Sequence, residues 1–309
     1  MKIDVIIPTH KPDGTFIKLV ELLEKQTVTI NRIIVMNTEE KYMEALHIGT
    51  RFLAEHRSLS IHHLSKREFD HGGTRNKGAF KSDADVIVFM TQDAVPYDEN
   101  LIKSLTAPLE DPMVACSYAR QLPAQDAHVS EKLTRDFNYP PVSRVKSIDD
   151  LKELGIKTYF CSNVCCAYNA RIFKELKGFV NRTIFNEDMI YAAKAMKNGY
   201  KVAYAADACV IHSHNYTGKQ QFHRNFDLGV SQADHPEVFA GISSESEGIR
   251  MMKKTITLLK EQGASKEILP YIYKSGCKYM GYRLGKMYRK LPKWLVLKCT
   301  MSPRYWKMQ

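Results

Sequence analysis

Residues 86–93 constrain this chain most. They read Val-Ile-Val-Phe-Met-Thr-Gln-Asp, five apolar side chains followed by a polar triplet with one carboxylate. An uninterrupted apolar run of this length suits a strand buried on both faces of a parallel sheet. In open α/β sheets, ligands bind just past the carboxyl ends of the strands, which is where Asp93 falls. The flanking chain agrees: residues 3–8 read as a β-branched strand, followed by a polar turn and an amphipathic helix through Phe16, Leu19, Val20, Leu22 and Leu23. Residues 33–36 and 60–64 read as further strands, with a helix expected over 42–56 between them. Such alternation predicts a right-handed, mainly parallel sheet flanked by helices.

Beyond Pro96 the pattern loosens. A helix is expected over 100–109 and a strand over 114–120, and then a polar excursion with Pro123, Pro140 and Pro141 covers 121–158. Long irregular insertions at a sheet's binding edge usually form binding surfaces or lids. Strands follow at 160–168, 200–205 and 208–211, with a helix over 189–198, and the chain is mainly helical from 217.

Composition excludes several classes. No stretch of 18 apolar residues is present in the 309, so no spanning helix is expected. The apolar part of the N-terminus is too short for a signal-peptide core, which points to the cytoplasm. Seven cysteines, at 116, 161, 165, 166, 209, 277 and 299, match no zinc spacing and are expected to be reduced and buried. The net charge of +11 is concentrated: residues 268–309 hold ten Lys or Arg and no acid, whereas the other 267 carry 35 basic and 34 acidic groups.

Three polar groups stand out as site candidates. Asp93 ends the apolar strand, Glu187 and Asp188 open a helix, and His212 and His214 lie on one side of an extended segment where they could share a metal. Ahead of the central strand, Gly72-Gly73-Thr74-Arg75 precedes a helix, so the helix N-terminus and Arg75 are expected to face an anionic ligand.

These pieces occur in a telling order: Ile6-Ile7-Pro8-Thr9, Gly72 to Gly78, Thr91-Gln92-Asp93-Ala94, Asn186-Glu187-Asp188 and His212-Ser213-His214. Over about residues 1–225 the chain resembles the inverting family-2 glycosyltransferases, which have a GT-A fold. Within them it is similar to bacterial rhamnosyltransferases of cell-wall and surface polysaccharide, and most similar to the streptococcal rhamnan type. The resemblance implies a GT-A catalytic domain over 1–225 and a C-terminal helical region over 226–309. It implies that Pro8, Thr9 and Arg75 meet the nucleotide, and that Gln92 and Asp93 occupy the terminal positions of the metal-binding motif. Asp93 would hold Mg²⁺ or Mn²⁺, helped by His212 or His214. Asp188 would be the general base, with Glu187 orienting it or binding acceptor. Two departures from the family pattern are present. Asn37 stands where an Asp usually reads the base, so that contact passes to the Asn37 amide or to Glu39, and Thr91-Gln92 replace the first acid of the motif.

The implied reaction is transfer of L-rhamnose from dTDP-rhamnose to a lipid-linked glycan, with UDP-glucose or UDP-N-acetylglucosamine as alternative donors. In the tail, Ile272, Met280, Leu284, Met287, Tyr288 and Leu291 fall near helical spacing among basic residues, with Trp294 and Trp306 beyond. That composition suits a helix on the anionic inner face of the cell membrane. It also permits packing on the catalytic domain or on a second subunit. Nucleic-acid binding is the competing use of such a tail, disfavoured because the rest of the chain is charge-balanced and carries no recognised module.

Overall fold

The central strand lies inside one nine-stranded sheet: β1 (Ile3–His10), β2 (Arg32–Thr38), β3 (Leu59–Leu64), β4 (Val86–Met90), β5 (Val95–Pro96), β6 (Val114–Leu122), β7 (Arg144–Lys146), β8 (Cys165–Asn169) and β9 (Lys201–Ile211). The computed structural model describes residues 1–46, 48, 50–242 and 244–307. Strand order is β3-β2-β1-β4-β8-β6-β9-β5, with β7 also paired to β9.

β1 to β4 are parallel, as expected. The remainder is mixed: β8 runs antiparallel to β4 and β6, and β5 and β7 run antiparallel to β9. The chain enters β8 at the end where β4 finishes, pairing Cys165 with Met90. The strand is also shorter than expected, since residues 160–164 form a loop ahead of it.

Side chains alternate across the sheet. Val5, Ile7, Val35 and Val88 pack on one face and Ile6, Ile34, Ile87 and Phe89 on the other. Phe89 meets the rings of Tyr168, Phe173 and Phe179 at 5.2–5.8 Å. Truncating one such ring costs about 3–5 kcal/mol. With both faces covered, the polar chemistry is confined to the strand ends. β1 lies between β2 and β4, so the chain reverses its direction of travel across the sheet there, and a crevice opens past the ends of β1 and β4. Gln92 clasps this point: its Oε1 accepts from His10 N at 2.8 Å and its Nε2 donates to His10 O at 3.2 Å.

Several expectations are corrected. The helix over 42–56 is two short helices, Glu40–Glu44 and Thr50–Glu55, and residues 47 and 49 between them lie outside the described residues. The excursion over 121–158 is not irregular, for it contains the helix Val129–Asn138 and β7. The strands expected at 200–205 and 208–211 are one strand, β9, with a register shift against β6. Five cysteines are buried, and Cys209 and Cys277 are half-buried.

The C-terminal region packs on the sheet domain. Residue 225 lies within the helix Gly218–Asp234, which crosses the helix Ile268–Lys286 backbone to backbone. A Cβ at Gly281 would sit 2.2 Å from Phe222 O, and one at Gly285 2.1 Å from Phe226 O, so only glycine permits this approach. Leu284, Tyr288, Leu291 and Trp306 join Ile184, Phe226 and Val230 in an apolar cluster. Ile272, Met280, Met287 and Trp294 remain exposed, so the apolar set read as one face is divided between core and surface.

Candidate active site

Three ligand-type side chains converge past the end of β4. Asp93 Oδ2 lies 3.6 Å from His212 Nε2 and 3.4 Å from His214 Nε2, and the two imidazole nitrogens are 3.2 Å apart. β9 delivers the histidines because it ends at Ile211 beside β5, directly ahead of them. His212 Nδ1 faces Gln121 Oε1 at 3.1 Å. This contact orients the ring so that Nε2 faces Asp93. Burial, followed by the proximity of His212, lowers the His214 pKa to about 4. Although burial raises it, the Asp93 carboxyl is held well below the usual range, chiefly by His212. A carboxylate and two imidazoles within 4.8 Å of one another fit a divalent cation. The mixed N/O set suits Mn²⁺ better than Mg²⁺, which favours all-oxygen coordination.

The second group opens the helix Glu187–Lys197. Its N-cap, Asn186, takes a left-handed conformation with φ 64°, which asparagine tolerates, and Asn186 Nδ2 bonds Ser231 Oγ at 3.2 Å. Successive helical residues diverge by about 100°, so Glu187 and Asp188 face different partners. Glu187 points inward, with its Oε1 3.2 Å from Arg75 Nη1, and both side chains are 8% exposed. Arg75 also donates to His71 O at 3.0 Å. Asp188 is half-buried and accepts from the backbone N–H groups of Asn163 at 3.0 Å and Met189 at 2.8 Å. Burial, reinforced by the Glu187 carboxylate, pushes Asp188 up to about 8, while Arg75 and His71 hold Glu187 below its ordinary value despite burial.

The two groups are physically joined. Gln121, which receives His212, donates to Ser162 Oγ at 3.0 Å, and the next residue, Asn163, binds both Asp188 and, through Nδ2, Glu187 Oε1 at 3.2 Å. A carboxylate kept ionised and another pushed toward neutral pH, on one framework, could divide charge stabilisation from proton transfer.

The family model for "Glycosyl transferase family 2" matches residues 4–177. The chain belongs to that family. It is 39% identical over 310 residues to the O-antigen chain rhamnosyltransferase RfbN of Salmonella typhimurium, covering 99% of this chain and 96% of that one. It is 37% identical over 308 residues to the O-antigen chain rhamnosyltransferase WbaN of Salmonella anatum, covering 98% and 95%. Among solved structures, the mannosyltransferase PcManGT of Pyrobaculum calidifontis, in complex with GDP-Man and Mn²⁺, superposes with a TM-score of 0.65 at 12% identity, covering 94% of this chain and 88% of that one. This glycosyltransferase thus has the expected GT-A-like fold, with a mixed sheet and C-terminal helices.

Within the transferase, the remaining sequence-expected residues take varied places. Thr9 Oγ1 donates to Asn37 Oδ1 at 3.0 Å, and Asn37, fully buried, also contacts Glu39 O and His63 Nδ1. Glu39 is half-buried and accepts from Lys66 N at 2.8 Å, and Pro8 is half-buried within β1. Gln92 is occupied by the His10 clasp. The helix His71–Ala79 does not offer its first turn to an anion, because Asp70 Oδ2 accepts from Gly73 N at 2.6 Å. Gly72 serves packing instead, since a Cβ there would lie 2.0 Å from Val180 O.

Gln121 and Asn163 were not singled out by sequence, and their only signal was a polar side chain at a strand end or loop. A cavity of about 420 Å³ past the ends of β1 and β2 was also not foreseen, bounded by His10, Thr38, Lys66 and His71 on one side and by Arg182 and Arg304 on the other. Its size suits a small-molecule ligand.

Proposed function

We propose that this glycosyltransferase moves L-rhamnose from dTDP-rhamnose, with inversion, onto a hydroxyl of a lipid-linked glycan during O-antigen chain synthesis. The rhamnosyl specificity rests on two near-full-length relatives that share it by name. Both act on O-antigen, which favours that chain over the streptococcal rhamnan type. The observation that carries the chemistry is Asp188: a half-buried carboxyl pushed up to about 8, on one hydrogen-bonded framework with a separate, ionised Asp93.

An acceptor hydroxyl, with a pKa far above 7, must lose its proton as its oxygen attacks the anomeric carbon, and a carboxylate titrating near working pH is well matched to receive it. The new glycosidic bond forms as the bond from the anomeric carbon to the diphosphate oxygen breaks, and dTDP leaves. Asp93, His212 and His214 would hold Mn²⁺ or Mg²⁺, which supplies positive charge to the departing diphosphate. Asn163 holds Asp188 in place through its backbone N–H.

Among the described residues no helix is long and apolar enough to cross a membrane. Attachment to the inner membrane face would instead use exposed Leu269, Tyr273, Met280 and Trp294, set among the basic residues of the tail. Lipid-linked acceptor would be met there.

A donor panel tests the reading. Purified enzyme with lipid-linked acceptor and Mn²⁺ should release nucleoside diphosphate from dTDP-rhamnose and not from UDP-glucose or UDP-N-acetylglucosamine. Chelation should stop release, and Mn²⁺ should restore it. Turnover of a UDP-sugar in preference to dTDP-rhamnose overturns the donor assignment.

A further inference from the structure

The cavity past β1 and β2 has an unexpected outer wall. Its floor comes from the sheet domain, but its far side is residues 301–305, some 230 positions downstream of the His71 opposite them. This segment is pinned at both ends. On one side, Asp227, 2% exposed, accepts from Thr300 Oγ1 at 2.5 Å and from Met301 N at 3.0 Å. On the other, Trp306 is buried against Tyr288, with ring centroids 5.2 Å apart. Between the pins, Tyr305 donates its hydroxyl to Arg182 O at 3.3 Å, tying the wall to the loop opposite.

The charge inside is one-sided. Lys66, Arg182 and Arg304 border the space, and the one carboxylate among the lining residues, Asp70, is already committed to Gly73 N. Among the described residues no hydrogen bond or ion pair holds the side chain of Arg182 or Arg304, whereas Arg32, Arg75, Arg135, Arg144 and Arg289 all have carboxylate partners. Unpaired guanidiniums at the mouth of an open cavity are suited to the bidentate recognition of phosphate oxygens. Phe69, Ile184 and Tyr305 add apolar surface of the kind on which a nucleobase packs.

We infer that residues 301–305 form the outer wall of the donor pocket and that Arg304 binds the diphosphate of the nucleotide sugar. The inference rests on the nucleotide-sugar reading above and assigns the C-terminal segment a part in it. The tail therefore contributes to the donor site directly, in addition to any role at the membrane. Because the Arg304 side chain is exposed and unpartnered, replacing it leaves the packing of the wall intact.

Titration calorimetry of full-length wild type and Arg304→Gln with dTDP and with thymidine, both with Mn²⁺, tests this, alongside steady-state kinetics with dTDP-rhamnose. Loss of a charge-assisted phosphate contact should weaken dTDP by about 10-fold or more, leaving thymidine within about twofold. The donor KM should rise by a similar factor, with kcat within about threefold. An Arg304→Gln affinity for dTDP within twofold of wild type, with wild type binding dTDP normally, overturns the role of Arg304 and leaves the donor reading standing. Wild type that binds neither dTDP, UDP nor GDP overturns both.

Discussion

Two regions past the strand ends, the carboxylate floor around Asp188 and the cavity wall at residues 301–305, are built on opposite principles. On the floor, around Asp188, each charged group is buried or half-buried and already partnered: Glu187 with Arg75 and Asn163, Asp188 with two backbone N–H groups. On the wall, Arg182 and Arg304 face open space, and order comes from pins at Thr300 and Trp306 outside it. A group that must move a proton is held by the fold in advance, so its pKa and direction are set before substrate arrives. An arginine left unpaired at a cavity rim keeps its donors free for an anion.

The sharpest way to break this contrast is Asp188→Asn. If Asp188 is the general base, this substitution should lower kcat by about three orders of magnitude, while dTDP affinity, assigned above to the wall, should stay within about twofold by calorimetry. A large loss of dTDP affinity would mean that floor and wall are not separate. Next in size, Arg75→Met strands the buried Glu187 carboxylate, and denaturant unfolding should show a loss of about 3–5 kcal/mol; a near-neutral result would place Glu187 in contact with water.

Proton transfer supplies a finer test. A general base acts only when ionised, and the Asp188 pKa is raised, so on the proposed mechanism kcat/KM should climb with pH and level off above about 8. Glu187→Gln removes a negative charge that helps raise it, so the rising limb should move to lower pH. A limb that stays in place would assign it to another group. The smallest effect belongs to the wall: Thr300→Val removes one donor from buried Asp227 and should cost about 1–3 kcal/mol in thermal or denaturant unfolding. It should also weaken dTDP more than it changes kcat.

The floor was largely legible in sequence because its chemistry is local. Asp93 closes an apolar run, and Glu187-Asp188 opens a helix, so strand and helix periodicity alone put carboxylates at element ends. What was not legible depends on distant meetings. Asn163 reaches Asp188 across 25 positions and Thr300 reaches Asp227 across 73, and no periodicity encodes such pairs. Arg75 shows a different failure. The Gly72-Gly73 pair ahead of it looks the same whether glycine admits a phosphate or, as here, the Val180 carbonyl. The tail misled by being divided: Leu284, Leu291 and Trp306 turn inward and Met280 and Trp294 outward, although all five are apolar.

The Gln92 clasp has a consequence for position 10. Its amide reads only the N–H and C=O of His10, never the imidazole, so the two strand ends stay registered whatever side chain occupies position 10. That side chain borders the cavity. A substitution at position 10 therefore reshapes the cavity border while Gln92 keeps the two strand ends in register.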